Sequence, residues 1–253
     1  MTRGPMPPSW LTRLRYPHLG RAHRLWQHCK GVVQSGPFAG MTITAQTTGA
    51  LLPPYLLGSF EADLHETIAS FDASPPQGVV NVGAGDGYYA VGFAYLWPNC
   101  QITAFDPLQS AQTNTAAWAN ASKVSDRISL QGAATPENLE SHLASFAPGS
   151  CLIWCDCEGA EELLANPDRV PSWSTCSFVI ELHPWVIPDI EETLTTRFSS
   201  SHSLSVIEES PQSTSAFPPP AGWPSRPTED LLNEGREHPG RWLIGRPNQG
   251  KSA

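Results

Sequence analysis

The chain has 253 residues, with 24 acidic against 15 basic side chains and a formal net charge of −9. That balance argues against nucleic acid as the main partner, because phosphate binding rests on Lys and Arg. No apolar run approaches the roughly 20 residues that cross a bilayer, and the N-terminus lacks the apolar stretch of a signal peptide, so the expected compartment is the cytoplasm.

Hydrophobic residues make up 40% of the chain, enough for the core of one α/β domain with some elaboration. Residues 1–60 are expected to form a basic arm and a lead-in, and residues 61–253 the domain proper. Arg3, Arg13, Arg15, Arg21, Arg24 and Lys30 occur in the first 30 residues with no acid. Within that stretch, residues 10–15 fit a basic amphipathic helix. Such an arm could lie on a membrane surface, but a solvated arm that packs on the domain or docks on a second copy of the chain is the simpler expectation.

From residue 78 onward, strand-like and helix-like stretches alternate, the mark of a parallel sheet with crossover helices. Strands are expected at 78–82, 101–105, 127–130, 151–155 and 176–182. Helices are expected at 88–97, 110–120, 136–146 and 190–198. Thr135-Pro136-Glu137-Asn138 has the form of a helix start, with an N-cap, proline at the first position and an acid in the first turn. Two further strands, at 204–207 and 241–244, flank a Pro- and Ser-rich stretch at 211–227 that reads as a surface loop or lid. Trp223 in that stretch is expected to pack, or else to cover a substrate. The six cysteines contain no CxxC pair, so zinc is not expected. Cys155 and Cys157 share one face of a strand as small apolar groups.

The chemistry concentrates at strand ends. Asn81-Val82-Gly83-Ala84-Gly85-Asp86-Gly87 stands where the first strand hands over to a helix. Glycines there allow a tight turn and close approach to a ligand, beside the free N–H groups of a helix start. Asp106-Pro107 ends the next strand, about 20 residues on, where a carboxylate can bind ribose hydroxyls. A dinucleotide site prefers GxGxxG, whose third glycine lies inside the helix; here it comes one residue earlier and the large Tyr88 and Tyr89 follow. That spacing resembles the first motif of class I methyltransferases. Asn81 stands where that superfamily often has an acid, and its amide can still bind a methionine amino group. Ala133, after the third strand, is placed to meet adenine.

Two charged clusters follow later strands: Asp156-Cys157-Glu158-Gly159-Ala160-Glu161 and Glu181-Leu182-His183-Pro184. Acids and a histidine at several strand ends are costly unless paired or used. The first cluster resembles the D-x-E-G-x-E signature of the FkbM-type methyltransferases, and Glu181-Leu182-His183 the E-x-H stretch that follows it. Residues 36–41 and 56–61 are similar to the lead-in of such proteins, so the resemblance covers about residues 33–210.

The resemblance implies a Rossmann-like class I methyltransferase fold, with a mostly parallel seven-stranded sheet whose last strand is antiparallel, and an N-terminal helical arm. It implies S-adenosylmethionine as cofactor and O-methylation of a hydroxylated small acceptor such as a sugar; N- or C-methylation, or cofactor binding without turnover, stays open. Cofactor contacts are expected from Asn81, Gly83, Ala84, Gly85, Gly87, Asp106, Pro107, Ala133 and Asp156. Removal of the acceptor proton falls to a base poised near neutrality: His183, with Asp156 or Glu181 orienting it or the substrate, and with a structural role for the histidine equally open. Glu61, Tyr88, Tyr89 and Glu158 are candidates for the acceptor side. Glu161 is expected to cap or pair at its helix start. Asp156, Glu181 and His183 could also hold a divalent ion, but spacing alone assigns none.

Overall fold

A computed structural model describes residues 17–44, 51–213, 215–223 and 229–248. The proposed helix at residues 10–15 lies outside them. Seven strands form one sheet: β1 (Gly78–Val82), β2 (Gln101–Phe105), β3 (Ile128–Gln131), β4 (Cys151–Cys155), β5 (Ser177–Glu181), β6 (His202–Glu208) and β7 (Arg241–Pro247). Their order is β3-β2-β1-β4-β5-β7-β6. β1 to β5 pair in parallel, and β7 inserts antiparallel to both β5 and β6. This is the Rossmann-like arrangement expected from the strand pattern, with the last strand reversed.

Along β1 the side chains alternate between faces, as the two-residue period of a strand requires. Val79 packs with Ile102, Leu152 and Trp154 on one face, while Val80 and Val82 pack with Phe105, Ile153 and Ile180 on the other. The first face is covered by α1 (Pro17–Cys29), α2 (Leu52–Leu57), α3 (His65–Ala69), α4 (Tyr88–Leu96) and α5 (Gln109–Ala121). The second is covered by α6 (Pro136–Leu143), α7 (Glu161–Leu164) and α8 (Ile190–Phe198). Both faces being buried explains why β1, β4 and β5 are buried at every position and mostly apolar rather than alternating. Leu25, Phe38 and Leu56 of the lead-in share the first core with the sheet.

Helix ends follow local chemistry. α4 stops at Leu96 because Pro98 cannot continue it. α6 begins on a capping box: the Thr135 hydroxyl accepts the N–H of Asn138, and the Asn138 side chain accepts the N–H of Thr135. β6 and β7 are each longer than their apolar residues suggest, because pairing with each other extends them beyond the buried stretch. Trp223 packs edge-on against His28, their ring centres 5.7 Å apart, and His28 bonds the Ala221 carbonyl, so the described part of the Pro-rich loop lies on α1. Cys155 and Cys157 approach to 3.6 Å, both against the second core. Among the described residues no helix is long and apolar enough to cross a membrane.

Candidate active site

β1 and β4 are neighbours from which the chain winds outward in opposite directions, and ligands bind at such a switch point beyond the strand ends. Val82 and Cys155 are register partners, so the loops that follow them emerge side by side. The N–H of Asp156 donates to the Val82 carbonyl at 2.9 Å, and a Cβ on Gly83 would stand 1.6 Å from the Asp156 carbonyl. Gly83 is therefore required for two loops to meet. Gly85 differs: its φ is +53° and a Cβ there would meet nothing within 4 Å.

That open space is a cavity of about 370 Å³, within the size range of small-molecule sites. Gly83, Gly85, Asp106, Pro107, Ala133 and Asp156 line it, six of the nine residues expected to hold a cofactor. Asp106 accepts the N–H of Gly85 at 2.9 Å and of Leu108 at 2.8 Å. The other three do not line it. Ala84 is 8% exposed, Gly87 abuts Thr115, and Asn81 is 1% exposed with its amide donating to the Trp154 carbonyl. These three face the protein behind the loop. The Asn81 side-chain oxygen is buried without a hydrogen-bond partner.

A second cavity of about 400 Å³ adjoins the first, and Asp156 and Glu158 line both. Its wall also includes Glu61, Glu181, His183 and Trp185. The His183 side chain is 3% exposed; its Nε2 faces Asp156 Oδ1 at 3.5 Å and Glu158 Oε2 at 3.4 Å, and its Nδ1 lies 2.9 Å from Glu161 Oε1. Glu161 is fully buried and accepts the N–H groups of Cys157 and Gly159, so it fixes both the loop and the imidazole. Burial pulls the His183 pKa down, but Glu161, then Glu181 and Glu158, outweigh it and hold the value above that of a free histidine. Burial and the carboxylates of Glu181, Glu61 and Glu158 push Asp156 well up. Asp156, Glu161 and His183 present ligand atoms within 4.8 Å of one another, a group that could hold a metal ion.

Of the two carboxylates expected to orient His183 or the substrate, Asp156 faces its Nε2, and Glu161, expected only at its helix start, stands at Nδ1. Glu181 instead bonds Arg236 at 2.6 Å. Arg236 also bonds Glu61 and Glu234, and burial with Glu181 nearby pushes the Glu61 carboxyl up to about 8. Tyr89 donates its hydroxyl to Glu61, so it reaches the site through that carboxylate. Tyr88, a candidate for the acceptor side, is 3% exposed and packs among Phe38, Tyr55 and Phe60. It belongs to the core, since the first turn of α4 directs it beneath the loop.

Arg236, Glu234 and His238 come from the loop between β6 and β7 and match no motif. Their one trace in the sequence is a dense run of charge at Glu234-Gly235-Arg236-Glu237-His238. Trp185 stacks on His238 with ring centres 4.5 Å apart, closing one end of the second cavity.

No known family profile matches the chain, and no curated protein matches it in sequence. Solved structures do. An O-methyltransferase from Bacillus cereus in complex with S-adenosylhomocysteine has a TM-score of 0.50 at 6% identity, over 89% of this chain and 90% of that one. The C-terminal domain of precorrin-6Y C5,15-methyltransferase from Rhodobacter capsulatus has 0.50 at 14%, over 86% and 99%. An rRNA methylase from Streptococcus thermophilus has 0.46 at 12%, over 74% and 97%. At these identities the likeness concerns the fold. The chain has the Rossmann-like, seven-stranded fold of the first two of these methyltransferases.

Proposed function

We propose that the protein is an S-adenosylmethionine-dependent methyltransferase acting on a hydroxyl of a small acceptor. The observation that carries this reading is the junction of two cavities at Asp156 and Glu158, one under the glycine loop and Asp106, the other walled by His183 and carboxylates. The acidic motif at 156–161 and its likeness to the FkbM type support it, as does the fold.

The residues fit the cofactor. Gly85 leaves room for it, Asp106 stands where ribose hydroxyls would be bound, Ala133 and Leu108 offer apolar contact to adenine, and the orphaned Asn81 oxygen lies behind the loop. When bound, S-adenosylmethionine supplies an electrophilic methyl group. The chain contributes positioning, worth about 7–11 kcal/mol of barrier when alignment is good. His183 takes the acceptor proton on Nε2 while Glu161, at Nδ1, stabilises the resulting imidazolium.

The test is incubation with methyl-labelled S-adenosylmethionine and a panel of hydroxylated small molecules. Label bound through oxygen is expected. Label on nitrogen or carbon, or none from a protein that binds S-adenosylhomocysteine, would overturn the reading.

A further inference from the structure

The second cavity is walled by six carboxylates, those of Glu61, Asp156, Glu158, Glu181, Glu234 and Glu237, and by one arginine, Arg236. Arg236 is consumed by three of them, Glu61, Glu181 and Glu234. Asp156, Glu158 and Glu237 have no Arg or Lys partner among the described residues. His183, nine-tenths buried and more, is aimed into this space, and its Nε2 makes no hydrogen bond to either facing carboxylate. Asp156 Oδ1 is likewise buried without a hydrogen-bond partner. Apart from His183, which faces Asp156 and Glu158, the wall offers these acids no basic partner that is not already taken up by Glu61, Glu181 and Glu234.

The unmatched acids come from two loops. Asp156 and Glu158 follow β4, whereas Glu237 comes from the loop before β7, so they flank a space of about 400 Å³. A space of that size fits an extended organic cation. Trp185, stacked on His238 by one face and 41% exposed on the same wall, adds an aromatic surface of the kind that attracts ammonium groups. An anionic acceptor would meet carboxylates on both sides.

We infer that the acceptor carries an ammonium group beside its reactive hydroxyl, as in an amino sugar or amino alcohol. The inference rests on the methyltransferase reading and narrows its substrate class. With His183 set between Asp156 and Glu158, the acceptor's cationic group is held by Glu158 and Glu237 against Trp185, and its hydroxyl is turned toward the imidazole.

The test uses a small-metabolite extract of the organism that encodes the protein, separated on ion exchangers at neutral pH into cationic, neutral and anionic fractions. Each is incubated with the full chain and methyl-labelled S-adenosylmethionine, and excess cofactor is removed on charcoal. Binding of S-adenosylhomocysteine is measured by calorimetry on the same preparation. Label in the cationic fraction is expected, with KM for that acceptor raised about two- to fivefold in each of Glu158→Gln and Glu237→Gln and S-adenosylhomocysteine affinity unchanged in Glu237→Gln. Label confined to the neutral or anionic fraction overturns the inference, as does an absence of label from a protein that binds S-adenosylhomocysteine. Label that is lost with EDTA and restored by Mn²⁺ assigns the carboxylates to a metal and overturns it too. Failure to bind S-adenosylhomocysteine removes the methyltransferase reading itself.

Discussion

Asp106 accepts the backbone N–H of Gly85 at 2.9 Å, tying the end of β2 to the glycine loop after β1. Its other oxygen accepts the N–H of Leu108 at 2.8 Å, so one carboxylate fixes two walls of the cavity under the glycine loop. Hydrogen bonds to a charged group contribute about 1.5–3 kcal/mol each. Asp106→Ala is expected to weaken S-adenosylhomocysteine binding at least tenfold by calorimetry and to lower the melting temperature. Asp106→Asn, which keeps an acceptor oxygen, should retain part of both. Unchanged affinity in the alanine variant would remove Asp106 from the ribose role.

Gly83 and Gly85, separated by one residue, make opposite demands. Gly83 has φ +79° and its missing Cβ would overlap the Asp156 carbonyl, so Gly83→Ala should cost more than about 4 kcal/mol and yield little folded protein. Gly85→Ala meets only the left-handed backbone penalty of about 1–2 kcal/mol. It should fold, with cofactor binding reduced far more than stability, because its methyl group enters the cavity. A Gly85→Ala protein that binds S-adenosylhomocysteine normally would place the cofactor elsewhere.

His183 and Glu161 form the dyad proposed to remove the acceptor proton. The imidazole must be neutral to act as base, and Glu161 raises its pKa, so turnover should rise with pH through a value above that of free histidine. Glu161→Gln removes that support, and its rate profile should shift to lower pH while kcat falls. His183→Ala should depress turnover about 100-fold or more with cofactor affinity retained. Full activity in His183→Ala would leave the histidine a structural role.

Glu61 gives a stability prediction of definite sign. Burial and Glu181 raise its carboxyl from 4.5 to about 8, against the pull of Arg236 and Tyr89. The folded protein therefore keeps a proton that the unfolded chain releases. This group's favourable contribution is complete below about pH 4.5 and is lost as pH climbs to about 8. Melting temperatures of the wild type should fall over that window relative to Glu61→Gln, which has no proton to lose. Parallel curves for the two proteins would contradict the shift.

Strand positions were readable because buried parallel strands are short apolar runs closed by Gly, Asp or Pro, as at Val82-Gly83 and Phe105-Asp106-Pro107. Six of the residues lining the cavity under the glycine loop were named from sequence for the same reason, since they lie within a few positions of those ends. Orientation within a loop was not: the spacing of Asn81, Ala84 and Gly87 does not reveal that the turn points them inward. Nor does sequence separation reveal that Arg236 meets Glu61 across 175 positions, because only the antiparallel return of β7 brings them together. The place of Glu161 at His183 is hidden for a related cause. Asp156, Glu158 and Glu161 are close in sequence, and which one faces Nδ1 depends on the left-handed turn at Glu158 and Gly159.

The central claim is that the space bounded by Gly85, Asp106, Ala133 and Asp156 is a site for S-adenosylmethionine. Calorimetric titration of the full chain with S-adenosylhomocysteine, and separately with NAD, tests it most directly. The account predicts one S-adenosylhomocysteine site per chain, weakened by Gly85→Ala, and no NAD binding. Binding of NAD without binding of S-adenosylhomocysteine would contradict it.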